Sequence, residues 1–179
     1  MGYFSTRGLR GSLFEELINK TNTAYMEDDL AVIQKLPTSI KPVELDNKRG
    51  VITLAYFDGQ STVDYMGNVQ GIPVCFDAKE TKKTNLPLSN VHDHQVKFME
   101  KFTRQGGLSF MLVYFSNEEL TFLLEFDILK RAWDEANMGG RKSIPIEMFN
   151  KDLIVNRNGR YLIHYLEAID KYIKKEREI

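Results

Sequence analysis

The run Leu108-Ser-Phe-Met-Leu-Val-Tyr-Phe115 constrains this chain more than any other feature. Successive side chains of a strand point to opposite faces, so apolar residues at both parities leave no face for water. Such a strand belongs inside a sheet that is covered on both sides. Helices are the usual cover, which makes the expected architecture α/β, a sheet between helical layers. The rest of the chain must then supply neighbouring strands and helices for both faces.

Helical spacing occurs in four places. Residues 13–27 put Leu13, Phe14, Leu17, Ile18 and Tyr25 on one face, and Ser12 and Glu15 have the spacing of a capping box. Residues 91–105, 128–137 and 160–178 also read as helices, the second of them stopping at Gly139-Gly140. In the last, Tyr161, Ile163, Tyr165, Leu166, Ile169 and Ile173 are the expected core contacts. Strand-like stretches fall at 30–34, 51–57, 62–66, 72–79 and 120–126. Asp58-Gly59-Gln60 is a turn signal, and Gly67 and Gly71 are expected to bracket a hairpin connection. Residues 42–50 are polar and predict a turn or an extended arm. Ile144-Pro145 opens a short segment leading to 153–155. No repeat interrupts this order, so residues 1–179 predict one domain built on a mixed β-sheet flanked by helices.

A chain of 179 residues with 42% hydrophobic and 27% charged residues can build a full core. It has no apolar window long enough to span a membrane and no apolar leader at its start. Cys75 is the only cysteine, so no internal disulfide can form and a cytoplasmic setting is the expectation. The net charge of −1 gives no overall basic character. The charge is unevenly spread, however. From Lys79 to Arg104 six basic residues stand against three acidic ones. Arg7 and Arg10, Arg141 and Lys142, and Lys171, Lys174, Lys175 and Arg177 form further basic groups. Each group alone reads most simply as solvated surface.

The chemistry is concentrated in Thr62-Val-Asp64 and Asp77-Ala-Lys79. On a strand Asp77 and Lys79 project from one face, roughly 6–7 Å apart along the chain. Ile72, Val74 and Phe76 take the other face. If the 62–66 and 72–79 strands pair as a hairpin, Asp64 can reach Asp77, and Thr62 shares the face of Asp64. Two converging carboxylates bind a hard divalent cation through oxygen, and Mg²⁺ suits such a site because it keeps several waters and bridges to phosphate. Lys79 can then orient an attacking water or stabilise the charge of a pentavalent phosphorane. Asp-x-Lys by itself is common on strand ends and carries little weight; the hairpin partner is what raises it. An apolar strand ending in Asp and Lys, with an Asp on its partner, is the arrangement of the PD-(D/E)xK nucleases. Asp64-Tyr65 stands where "PD" would, so only the aspartate matches that half.

Several segments, in order, resemble the RecU-type Holliday junction resolvases of Gram-positive bacteria and their phages. They are residues 11–22, Ala31-Val-Ile-Gln-Lys-Leu-Pro-Thr38, Ala55-Tyr-Phe57, Ser61-Thr-Val-Asp-Tyr65, Phe76-Asp-Ala-Lys-Glu-Thr81, Leu86-Pro-Leu88, His92-Asp-His-Gln95 and Gly140-Arg-Lys-Ser-Ile144. The resemblance implies a restriction-endonuclease-like fold with a protruding β-ribbon stalk, here at 40–57. It implies a Mg²⁺-dependent homodimer, with Mn²⁺ as a substitute metal, that nicks four-way DNA symmetrically in recombination and repair. RecA and a branch-migration helicase are the partners it implies. Carried over residue by residue, the metal ligands are Thr62, Asp64, Asp77 and Gln95, and Lys79 has the transition-state role. Glu15 stands where the superfamily often has a further acidic residue; a capping-box role beside Ser12 is the equal alternative. Thr62, as a strand threonine, has packing as its plainer reading. Phosphate contacts are expected from Lys41, Lys48 and Arg49 on the stalk and from Lys82, Lys83, Arg141 and Lys142.

The His92-Asp-His-Gln95 run looks like a metal box, but two histidines two apart on a helix do not face each other. Zinc ligation is therefore not expected; Gln95 is the site residue, with the histidines near DNA or capping the helix. His164 is expected to be packing or surface. The chain departs from the family at Asp77, where relatives usually have Glu, and its short start fits a phage or minimal version. Two other functions stay open: a PD-(D/E)xK nuclease acting on another DNA, and a non-catalytic junction-binding regulator of recombination.

Overall fold

The structure is a computed structural model that describes residues 13–58 and 62–177. Ser12, Arg7, Arg10, Gly59 and Gln60 lie outside the described residues, and so does the capping-box reading of Ser12. Helix α1 (Leu13–Glu27) is followed by strands β1 (Val32–Lys35), β2 (Ile40–Asp46), β3 (Val51–Phe57), β4 (Tyr65–Val69), β5 (Ile72–Thr81) and β6 (Asn85–Pro87). Then come α2 (Asp93–Arg104), β7 (Leu108–Phe115), β8 (Leu120–Glu125), α3 (Phe126–Asn137), β9 (Ser143–Pro145) and α4 (Leu166–Arg177). Among the described residues no helix is long and apolar enough to cross a membrane.

Five strands form the main sheet in the order β1-β4-β5-β7-β8. The β5–β7 pair is parallel and is connected through α2; the other pairs are antiparallel. The run 108–115 is β7, next to the sheet's centre, and its parity sorts the core as its composition requires. Phe110 and Leu112 join one apolar cluster with α1 and α4 residues such as Ile18, Tyr25, Ala168 and Ile169. Met111, Val113 and Phe115 join the other, with Val96 and Met99 of α2 and Leu129 of α3. The sheet is thus covered on both faces, as expected from a strand without a polar side.

Strand β5 obeys the same parity. Val74, Phe76 and Ala78 face the α1/α4 layer, while Cys75 faces the α2/α3 layer. An aromatic ladder locks three strands together on the first face. Tyr65 stacks on Phe76 at 4.7 Å, and Phe76 on Phe110 at 4.8 Å. Aromatic pairs across strands add stability beyond their area and fix register. That register sets which residues meet on the opposite face.

Three sequence expectations are corrected here. Strand β4 covers Tyr65–Val69 rather than 62–66, so Thr62 and Asp64 lie in the bend before it and do not share a strand face. Gly67 is inside β4; the hairpin turn is Gln70-Gly71, with φ of 49° and 91°, the two positive values of a type I′ turn. Gly67 is needed for another reason. A Cβ there would stand 2.1 Å from the carbonyl oxygen of Val32 and 2.6 Å from the Cα of Ile33. Gly67→Ala is expected to push β1 off the sheet and cost about 1–3 kcal/mol in urea unfolding. Third, α4 begins at Leu166 and not at 160. Tyr161, Ile163 and Tyr165 still pack against the core, but from the turns that precede the helix.

Smaller differences have local causes. The 120–126 strand ends at Glu125 because Phe126 already opens α3, two residues before the expected 128. Strands β2 and β3 pair only with each other, from Ile40↔Phe57 to Asp46↔Val51, in a hairpin at 40–57. Ile40, Val43, Leu45, Val51, Ile52, Leu54, Tyr56 and Phe57 are all exposed on it. Asp46 closes its tip by accepting the backbone N–H groups of Lys48 and Arg49, and Gly50 turns the chain at a φ of 64°.

Candidate active site

The β4–β5 register brings the two carboxylates together. Tyr65 pairs with Phe76, so one step further Asp64 stands opposite Asp77. The backbone N–H of Asp64 donates to Asp77 Oδ1 at 3.0 Å, which sets the two carboxyl groups side by side. Behind Asp64, its carbonyl accepts from Leu36 N–H at 2.8 Å, which ties the bend to β1. The site is therefore held by backbone, although Asp64 is not on a regular strand.

Asp77 is fully buried in a central strand, not at a sheet edge. Its Oδ2 makes no hydrogen bond. Lys79 Nζ comes within 2.5 Å of that oxygen, as strand parity predicts, so the oxygen is charge-compensated without being hydrogen-bonded. Burial pushes the Asp64 carboxyl up to about 6, the hydrogen bond with Asp77 and its charge push the same way, and Lys79 opposes them. Asp64 thus holds a proton well above the usual carboxylate range.

This has a sign for stability. A raised carboxyl pKa favours the folded state while the group is protonated, and that contribution is lost as pH rises through about 6. The metal-free protein is expected to lose about 1–2 kcal/mol from this source between about pH 4 and 7, allowing for solvent at the partly exposed Asp64. Urea unfolding in chelator should show it as a slope that Asp64→Asn removes. Equal slopes for both proteins would contradict a raised Asp64 pKa.

The other expected site residues are less concentrated. Thr62 is exposed in its bend. Gln95 is buried in the first turn of α2, and its Oε1 accepts from His92 N–H at 3.0 Å. Glu15 pairs with Lys35 at 2.5 Å, and the Tyr65 hydroxyl donates to Asn19 Oδ1 at 3.1 Å with the Glu15 carbonyl at 3.5 Å. Among the described residues, no group of three or more His, Cys, Asp or Glu is gathered as a metal cluster.

Lys35 is a neighbour that sequence reasoning missed. It pairs with Tyr65 in register and lies 6.0 Å from the centre of that ring. Only the β1–β4 pairing reveals it; its local signal is one lysine at a strand end. The histidines also need correcting. His92 precedes α2 with extended backbone (φ −103°, ψ 143°), so the helical spacing rule does not apply to it. The His92 and His94 rings stack at 5.4 Å and 7°. Burial, then His92, lowers the His94 pKa, and the charge of Lys79 contributes. His164 is mostly buried and packs against Tyr161, with Nδ1 2.9 Å from the Tyr25 hydroxyl.

The basic residues fall into two sets. Lys82 and Lys83 are exposed just after β5, in a turn fastened by Lys83 N–H to Thr81 Oγ1 and by Asn117 Nδ2 to the Lys82 carbonyl. Arg141 and Lys142 are exposed just before β9, and β9 pairs with β6. Both pairs thus flank one small sheet beside the C-terminal end of β5. Lys41, Lys48 and Arg49 form the other set, on the β2–β3 hairpin.

A buried aspartate and a lysine on one strand, with a partly exposed aspartate opposite, in a mixed sheet covered by helices, are the features of an α/β endonuclease. The family model "RecU: Recombination protein U" matches residues 9–171. A Holliday junction resolvase RecU from Oceanobacillus iheyensis is 40% identical over 94% of this chain and 87% of its own. That of Lactiplantibacillus plantarum is 41% identical over 96% and 86%, and that of Staphylococcus aureus 36% identical over 96% and 85%. Among solved structures, the Holliday junction resolvase Hjc of Archaeoglobus fulgidus has a TM-score of 0.38 and 9% identity, over 63% of this chain and 75% of that one. The chain belongs to the RecU family of Holliday junction resolvases, endonucleases that act on four-way DNA junctions.

Proposed function

We propose that this chain, as a homodimer, resolves four-way DNA junctions by Mg²⁺-dependent hydrolysis of one phosphodiester in each of two symmetry-related strands. The observation that carries this reading is the Asp64–Asp77 pair joined to Lys79 on β5, in a chain of this family. The donor set suits the metal. Asp77 Oδ2 is buried without a hydrogen bond, and both acidic groups offer oxygen only, as a hard divalent cation prefers. Asp64 and Asp77 would hold it, with water, phosphate, Thr62 or the Gln95 amide completing its shell.

When bound, the metal supplies Lewis acidity at the scissile phosphate and lowers the pKa of a bound water. The chain's own residues do the rest. Asp64 must release its proton before both carboxylates can serve as ligands. Lys79 Nζ sits where it can leave Asp77 Oδ2 for a phosphate oxygen or orient the attacking water. Strand β5, central and packed on both faces, keeps these atoms in place.

The hairpin at 40–57 serves in this reading as the stalk that enters the junction, with Lys41, Lys48 and Arg49 on backbone phosphates. Its exposed apolar residues suit unstacked bases at the crossover better than water. Lys82, Lys83, Arg141 and Lys142 hold the arms near the cut. A dimer sets two sites across the two-fold of the junction, which matches the symmetry of the product.

The test is a synthetic four-way junction, end-labelled strand by strand. Nicks at symmetry-related positions that need Mg²⁺ or Mn²⁺ are expected, with duplex of the same sequence left intact. Replacing the hairpin by a short turn should abolish junction preference while the melting temperature holds. Equal cutting of duplex and junction leaves only a nuclease of another substrate class. Tight binding without cutting, under either metal, leaves a non-catalytic junction binder.

A further inference from the structure

We propose that His92 and His94 act together as a clamp on a DNA phosphate next to the scissile one, positioning the strand over Asp64, Asp77 and Lys79. The inference rests on the nuclease reading of that site.

Three observations converge on it. First, the rings are parallel within 7° at 5.4 Å, so their edges lie side by side. Two side chains two apart on a helix point about 200° apart. Only the extended backbone of His92, just outside α2, brings the rings together. Second, the core does not bury them: His92 is exposed and His94 half-buried, while their neighbours Val91, Gln95 and Val96 are buried. The segment turns its apolar residues inward and its two imidazoles outward. Third, Thr103 and Met99 of α2 bond to Ser109 at the start of β7, which runs parallel to β5, so the opposite end of α2, which carries the pair, lies toward the Lys79 end of β5. Lys97, the basic side chain of α2 closest in sequence to the pair, is taken by Asp93.

A phosphodiester is the ligand this arrangement fits. Each imidazole offers a ring N–H, two stacked rings offer two on one edge, and a phosphate has two free oxygens to accept them. Gln95 does not take this role, because its side chain is buried and turned back onto His92 N–H. The sequence motif His92-Asp-His-Gln95 then divides its work: His92 and Gln95 fix the start of the helix as a capping box, and the outer edges of the two imidazoles face the substrate.

The test measures single-turnover cleavage of junctions in which each phosphate flanking the cut is replaced, one at a time, by a methylphosphonate. His94→Ala and His92→Ser are the variants. Serine is a good N-cap and alanine a good helix former, so α2 keeps its start. Each variant is expected to cut the unmodified junction about tenfold more slowly than wild type. One methylphosphonate position should slow the wild type by a similar factor and the variants by nothing further. His94→Asn, which keeps an N–H donor, should recover part of the rate. Unchanged rates in both variants overturn the clamp, as do losses that multiply at every phosphate position. If His94→Ala lowers the melting temperature, the same comparison is read on His94→Asn and His92→Ser, and multiplication there overturns it equally. If the wild-type protein itself cuts no junction, the nuclease reading fails and the clamp falls with it.

Discussion

Asp77→Asn is expected to reduce junction cleavage at least about 10³-fold, because it removes a proposed metal ligand that would act as a unit with Asp64. The fold should survive. Asparagine has the shape of aspartate, its Oδ1 can accept the Asp64 N–H that Asp77 Oδ1 now accepts, and its Nδ2 can donate to the Asp64 carboxylate. Lys79 keeps a counter-charge in Asp64, which already interacts with it. Nδ2 then stands where Oδ2 faces the Lys79 ammonium, so a stability loss of about 1–3 kcal/mol is expected. Asp64 should also titrate lower, since the charge beside it is gone, and the loss of stability with rising pH should flatten. Three measurements check this: strand cleavage in Mg²⁺, junction affinity by gel shift in Ca²⁺, and unfolding at acid and neutral pH. Cleavage within tenfold of wild type would falsify the role of Asp77.

Lys79→Met is expected to fail for a second reason, and its effect on folding is large. Asp77 has no exposure, and its Oδ2 has the Lys79 ammonium as its close partner. Methionine fills the space but leaves a buried carboxylate without compensation. Breaking a buried pair from one side costs about 3–5 kcal/mol, or a drop of roughly 10 °C in melting temperature for a chain of this size. The loss should shrink as pH falls, because protonation of Asp64 removes negative charge beside Asp77. It should also shrink in Mg²⁺, which restores positive charge at the same oxygens. In Lys79→Met with Asp77→Asn, stability should return while cleavage stays absent. A single variant melting within about 2 °C of wild type would mean that water, not Lys79, compensates Asp77.

The two predictions use the same few atoms, and those atoms were legible in the sequence to different degrees. Asp77 and Lys79 follow from strand parity alone, since any strand through 72–79 puts them on one face. Their depth did not follow. The sequence pattern suggested a strand edge, whereas β5 lies between β4 and β7 and both of its faces are packed. Asp64 was found through the hairpin, but for an incomplete reason. It meets Asp77 because Tyr65 pairs with Phe76, not because 62–66 is a strand. The short side chain of Asp77 keeps the carboxylate close to its strand. There it takes the backbone N–H of Asp64.

Local pattern sufficed wherever one element decided the outcome. The apolar run at 108–115 became β7 with those same bounds, and the 13–27 periodicity became α1, because burial of one or both faces is written in the spacing of the residues themselves. The ordered motifs identified the family for the same reason: they are linear. Tertiary structure decided whatever depends on two segments meeting. Lys35 reaches Glu15 and Tyr65 only through the β1–β4 pairing. The His92–His94 stack exists only because α2 begins at Asp93 and leaves His92 extended. The raised pKa of the Asp64 carboxyl arises only because burial and register set it beside Asp77. Sequence by itself determined which residues could do chemistry on DNA. Register and burial decided which of them stand together, since neither can be read from one segment at a time.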